Sequence, residues 1–193
     1  MTPNARIAGL ALALTALTAA TAARAAEPCL TENEMNQLLL FALPEVLDGA
    51  SSACKPTLGA GSFLVQDNGA LIGRYREAQG PAWPVAREAM MKIPGFTGED
   101  HKMQKTMRSL PDDAIKPMIS GIVRQMVAQG VKPTDCATID LAARLLAPLP
   151  AENMAGLFTL IVRKVDHPTG NRKSRLPLCP LPPVAAAAPP ANR

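Results

Sequence analysis

Cys29, Cys54, Cys136 and Cys179 are the side chains of this protein with the most chemistry to offer, and their setting decides which chemistry that is. They follow a stretch that reads as an export signal over residues 1–25: Arg6 in a short basic start, an apolar run from Ile7 to Ala20, then Ala23-Arg24-Ala25 with a small residue at both cleavage-determining positions. Cleavage is expected after Ala25. Export places the thiols in an oxidising compartment, where they cross-link a fold rather than serve as nucleophiles. Four cysteines admit three pairings. Cys29 with Cys54 and Cys136 with Cys179 are neighbours in sequence, and the second pair would pin the C-terminal tail to a helix start. A single helix over residues 31–50 would, however, hold its two ends about 30 Å apart at about 1.5 Å per residue. Bonded cysteines need Cα atoms within about 7 Å, so Cys29–Cys54 requires a true break at Pro44. Sequence leaves the pairing open.

No other grouping makes a recognised site. The chain has no G-x-S-x-G, S-x-x-K, H-E-x-x-H, C-x-x-C or phosphate-cradling glycine loop. His101 and His167 are its only imidazoles, each more simply read as a surface residue. The pairs Glu99-Asp100 and Asp112-Asp113 invite acid–base chemistry, but both sit where first helical turns favour negative charge anyway. His101, Met103 and Met107, with Met90-Met91 nearby, offer an imidazole and thioethers to Cu(I). His101 lies about 200° around a helix from Met103, so the simpler reading is a core filled with methionine. No cofactor is expected.

Charge narrows the partners. Without residues 1–25 the chain carries 18 basic and 16 acidic residues. Residues 26–162 hold 12 basic against 15 acidic, whereas Arg163, Lys164, Arg172, Lys173 and Arg175 crowd around Asp166 alone. That basic strip is a candidate docking site for an anionic envelope surface or an acidic partner, competing with a merely solvated segment. A nucleic-acid partner is not expected, because one Trp, one Tyr and four Phe give no stacking or base-reading set. No membrane span is expected after cleavage, since the Ile7–Ala20 run falls short of about 20 apolar residues.

The elements that must position these residues read as helices. Thr31-Glu32-Asn33-Glu34 is a capping box. Met35, Leu38, Leu39, Ala42, Leu43, Val46, Leu47 and Ala50 follow at spacings of three and four, through a kink at Pro44. Asp67 or Asn68 caps a second helix with Leu71, Ile72 and Tyr75, and Pro81 opens a third that ends at Pro94-Gly95. A short helix spans about Gly98–Arg108. The next runs from Pro111 to Gly130 with Ile115, Met118, Ile119, Ile122, Val123, Met126 and Val127 on one face. Asp135 caps another with Ile139, Ala142, Leu145 and Leu146, and the last uses Met154, Leu157, Phe158, Ile161, Val162 and Val165. No segment alternates as a strand does.

The expected fold is therefore all-α: an irregular bundle of six to seven helices over residues 26–165, stapled by disulfides. A Pro/Ala-rich extended tail, 166–193, is tied back by Cys179. Leu39 and Val123, central on the two most regular faces, are expected in the core.

The stretches Cys29-Leu30-Thr31, Ala42-Leu43-Pro44, Leu110-Pro111-Asp112-Asp113, Lys132-Pro133-Thr134-Asp135-Cys136 and Leu149-Pro150-Ala151-Glu152-Asn153 resemble small exported helical proteins of Gram-negative bacteria. The resemblance spans most of residues 29–180 and implies no activity and no catalytic residue. The expected function is that of a periplasmic or secreted, non-enzymatic protein that binds an envelope protein, a lipid or a small apolar molecule. The competing class is a hydrolase with an unrecognised site.

Overall fold

A computed structural model describes residues 29–66, 68–93, 96, 101–166 and 174–180, and their architecture is all-α. Seven α-helices follow in order: α1 (Glu32–Cys54), α2 (Phe63–Gln66), α3 (Asn68–Met90), α4 (His101–Ser109), α5 (Asp112–Gly130), α6 (Cys136–Leu146) and α7 (Ala151–Val165). A single 3₁₀ turn, Pro133–Asp135, leads into α6. Strands are absent among the described residues, where the only sheet-like pairing is a parallel bridge between Leu30 and Leu178.

The helix α1 is the axle of the bundle, packing against α3 and α5 along its length and against α7. It begins where the sequence says. The Thr31 hydroxyl accepts the Glu34 amide at 3.2 Å, and the Glu34 carboxylate takes the Thr31 amide at 2.9 Å, which satisfies two otherwise orphaned donors. Lys92 reaches the same carboxylate at 2.6 Å. Burial alone would push the Glu34 carboxyl up, but the bonds from Lys92 and Thr31 outweigh it and hold it below its ordinary value.

Because neighbours surround α1, burial is not confined to one stripe. Leu40, Phe41, Leu43, Glu45 and Gly49 are all buried, while Val46, expected inside, is partly open to solvent. Phe41 stacks obliquely on Trp83 of α3, ring centroids 4.9 Å apart, within a cluster that includes Met90, Met91, Ile115 and Ile119. A second cluster joins Leu40 and Leu43 to Leu71, Tyr75, Met154 and Ala155, and a third gathers Leu64 and Ala143 around Cys54 and Cys136. Leu39 and Val123 are only half-buried and pack against the rims of these clusters.

Other expectations are corrected. Pro81 does not open a helix: α3 runs unbroken through Pro81 and Pro84. Proline removes one backbone bond and crowds the preceding turn. Here Ala82 is buried in the cluster of Leu40, Leu43 and Met154, and Trp83 and Ala86 in that of Phe41, Ile115 and Ile119, and this packing carries the helix across the defects. The expected caps at Asp67 and Asn68 and the stop at Pro94-Gly95 fall outside the described residues or side chains, as does the export signal, 1–25. Met118, Ile122, Met126, Leu145, Leu157, Ile161 and Val165 keep their helical spacing but stand exposed. Their faces look outward because α5, α6 and α7 each pack on the bundle from the outside.

The disulfides are Cys29–Cys179 and Cys54–Cys136. Of the three pairings that sequence left open, this is the nested one. Since α1 stays helical through Pro44 to Cys54, its two flanking cysteines lie at opposite ends.

Candidate ligand-binding cleft

The helices α1, α3, α6 and α7 do not close completely on one another. Between them lies a cleft of about 140 Å³, lined by Leu43, Val46 and Leu47 of α1, Leu71 and Tyr75 of α3, Ile139, Ala142 and Leu146 of α6, and Met154 and Phe158 of α7. The small side chains Ala50, Ala142 and Ala143 leave volume that larger residues at those positions would fill. Its lining carries no carboxylate, imidazole, amine or thiol, so it can hold apolar matter but offers no acid–base pair.

Tyr75 forms the border of this cleft with a second, wider groove of about 440 Å³, whose walls include Arg74, Glu77, Pro81, Pro150 and Glu152. The ring is 2 % exposed, and its hydroxyl has no hydrogen-bond partner among the described residues. Burial raises its pKa above the ordinary phenol value, opposed by the charge of Arg74, so the hydroxyl stays protonated throughout the neutral range. Arg74 itself is occupied in capping α6, donating to the Ala147 carbonyl at 2.7 Å.

The basic strip is divided. Arg163 turns inward and donates to the Cys179 carbonyl at 3.0 Å, so it fastens the tail instead of facing a partner. Lys164 and Arg175 are exposed, and Arg172 and Lys173 lie outside the described residues. Asp166 accepts the Ser174 hydroxyl at 2.6 Å and the backbone amides of Arg175 and Leu176 at 2.9 and 2.8 Å. The Ser174 bond, with those two amides, holds the Asp166 carboxyl below its ordinary value.

Of the methionine constellation, Met90 and Met91 are buried and Met107 packs against the same cluster. The side chains of His101 and Met103 lie outside the described set, as does His167. Asp112 is paired to Arg87 at 2.7 Å, and that guanidinium also caps α4 through the Arg108 and Leu110 carbonyls. Glu99 and Asp100 lie outside the described residues.

Sequence reasoning missed one polar cluster altogether. Glu45 is 3 % exposed, and one of its oxygens accepts from Arg124 Nε and Nη2 at 3.1 and 2.8 Å while Gln79 bonds the other at 3.3 Å. Glu45 pulls the Arg124 pKa further up. Asp48, three residues on, also pairs with Arg124 at 3.0 Å, and two carboxylates at this spacing beside an apolar helical face were the available signal. The cluster is a fully engaged structural network joining α1, α3 and α5. Comparison with known proteins returns no matching family model, curated protein or solved structure.

Proposed function

We propose that this is an exported, non-enzymatic protein that binds a small apolar molecule in the cleft between α1, α3, α6 and α7. Two disulfides agree with an oxidising compartment, the periplasm or beyond. The reading rests on the cleft: about 140 Å³ with an apolar lining. An apolar protein cavity of about 150 Å³ stays dry and takes up benzene. The fitting ligand is therefore an aromatic ring or a short branched hydrocarbon end, and a whole acyl chain is too large. Every lining residue would meet it through dispersion and exclusion of water alone.

Methyl-resolved NMR with benzene as probe tests this. Leu43, Leu47 and Met154 methyl signals are expected to shift saturably, and Ala142→Trp, which fills the mouth from an exposed position, is expected to abolish the shifts while leaving the helical spectrum intact. Benzene at its solubility limit with no movement of those methyls would defeat the reading. Among the described residues nothing in this cleft supplies the nucleophile and base that the competing hydrolase would need.

A further inference from the structure

The helix α7 is apolar almost all the way round but packs on the bundle along only one side. From Asn153 to Val162 it carries no charged residue. Its inner stripe, Ala151, Met154, Ala155 and Thr159, is buried. A second stripe faces out: Leu157, Leu160, Ile161 and Val165 are 38, 62, 45 and 73 % exposed. Their spacing of three, four and eight residues from Leu157 draws one ridge, with Lys164 on the same face at the seventh position. A helix apolar on every side is normally covered on every side.

The charges around the ridge indicate what covers it. At its C-terminal end stand two exposed cations, Lys164 and Arg175, and Arg172 and Lys173 follow close by in the sequence. The one acid there, Asp166, has its carboxylate engaged by Ser174 and two backbone amides. Glu152 lies at the far end of the helix. Apolar side chains flanked by exposed cations match the acyl boundary and headgroups of an anionic bilayer, where long basic side chains reach back to the surface. The helix cannot cross: its 15 residues span about 22 Å at about 1.5 Å each, against a hydrocarbon core of about 30 Å. Ala155 and Thr159 also hold it against α1, so it would lie in the plane of the surface. We infer that the outer face of α7 docks this protein onto a membrane surface bearing anionic phospholipid, through Leu157, Leu160, Ile161 and Val165 with Lys164 and Arg175 as its cationic rim.

Co-sedimentation with phosphatidylcholine vesicles, with and without phosphatidylglycerol, tests the inference directly. The protein is expected to bind the anionic vesicles at least tenfold more tightly, with the difference shrinking as salt rises. Leu160→Asp with Val165→Asp should lower binding at least tenfold at every salt concentration, and circular dichroism should be unchanged because both sites are exposed. Lys164→Gln with Arg175→Gln should remove only the preference for anionic lipid. Three results overturn it: no sedimentation with anionic vesicles, binding indifferent to Leu160→Asp, or a concentration-dependent dimer dispersed by Leu160→Asp, which would assign the ridge to a second copy. Ala142→Trp keeps vesicle binding, so docking and cleft filling fail or succeed separately.

Discussion

At Gly49 the backbones of α1 and α5 approach closely. A β-carbon there would fall 2.5 Å from the Arg124 carbonyl oxygen and 3.0 Å from the Val127 Cβ. Backbone cannot swing aside as a side chain can, so Gly49→Ala is expected to destabilise by about 1 to 3 kcal/mol. Gly121, also within α5, has nothing within 4 Å of the same position. There alanine should stabilise by about 0.5 to 1 kcal/mol, because helical glycine is entropically costly. Urea denaturation of the two variants, with opposite signs expected, checks both. Asp166 gives a pH-dependent counterpart. Its carboxyl is lowered in the folded state, so the latch it forms with residues 174–176 stabilises above the ordinary carboxylate value of about 3.9. That contribution is lost as pH falls through the folded value. The amide proton resonances of Arg175 and Leu176 should move together over that acidic window, and Asp166→Asn should abolish the movement. The contacts of Thr31 with Glu34 were legible in advance, because a capping box is local. The partners of Gly49, Glu45 and Tyr75 lie on other helices, beyond the reach of spacing rules.

At the scale of elements, periodicity located α1, α5, α6 and α7 to within a few residues but could not say which stripe faces inward. Phe41 lay off the stripe drawn for α1 and is among the most buried side chains, whereas Leu145 and Val165 lay on theirs and are exposed. An apolar stripe reports that a helix has something to cover, not what covers it. Pro81 misled for the opposite reason: local propensity against proline was outweighed by the packing of Ala82, Trp83 and Ala86. The C-terminal tail shows how little is needed to fix a segment without a core. Leu30 donates to Pro177 at 2.6 Å and Cys179 donates to Leu30 at 2.8 Å beside the Cys29–Cys179 bond. In a Cys29→Ser, Cys179→Ser variant, the melting temperature is expected to fall, with a cost of about 2 to 5 kcal/mol, while helix content is retained. Proteolysis should then cut between residues 166 and 180.

Among the described residues, three apolar clusters are joined through one central helix, and the two disulfides sit in unlike surroundings. Cys54 and Cys136 are wholly buried, whereas Cys29 and Cys179 are partly exposed. A mild reductant should open Cys29–Cys179 first, and alkylation followed by mass mapping should find label on that pair before the other. The all-α class and the stapling of the tail were legible from composition, spacing and an even cysteine count. Connectivity was not, because it depends on which helix ends meet.

The nested connectivity carries a consequence for how such a chain matures. If the proposed export threads the chain N-terminus first into an oxidising space, Cys29 enters before every other thiol and its native partner, Cys179, enters last. An oxidase acting in order of arrival would join Cys29 to Cys54 and Cys136 to Cys179, and neither bond is native. Exchange of thiolate for disulfide must then undo them. Under that proposal the yield of correctly bonded protein would measure the host's shuffling capacity as much as the fold's own stability.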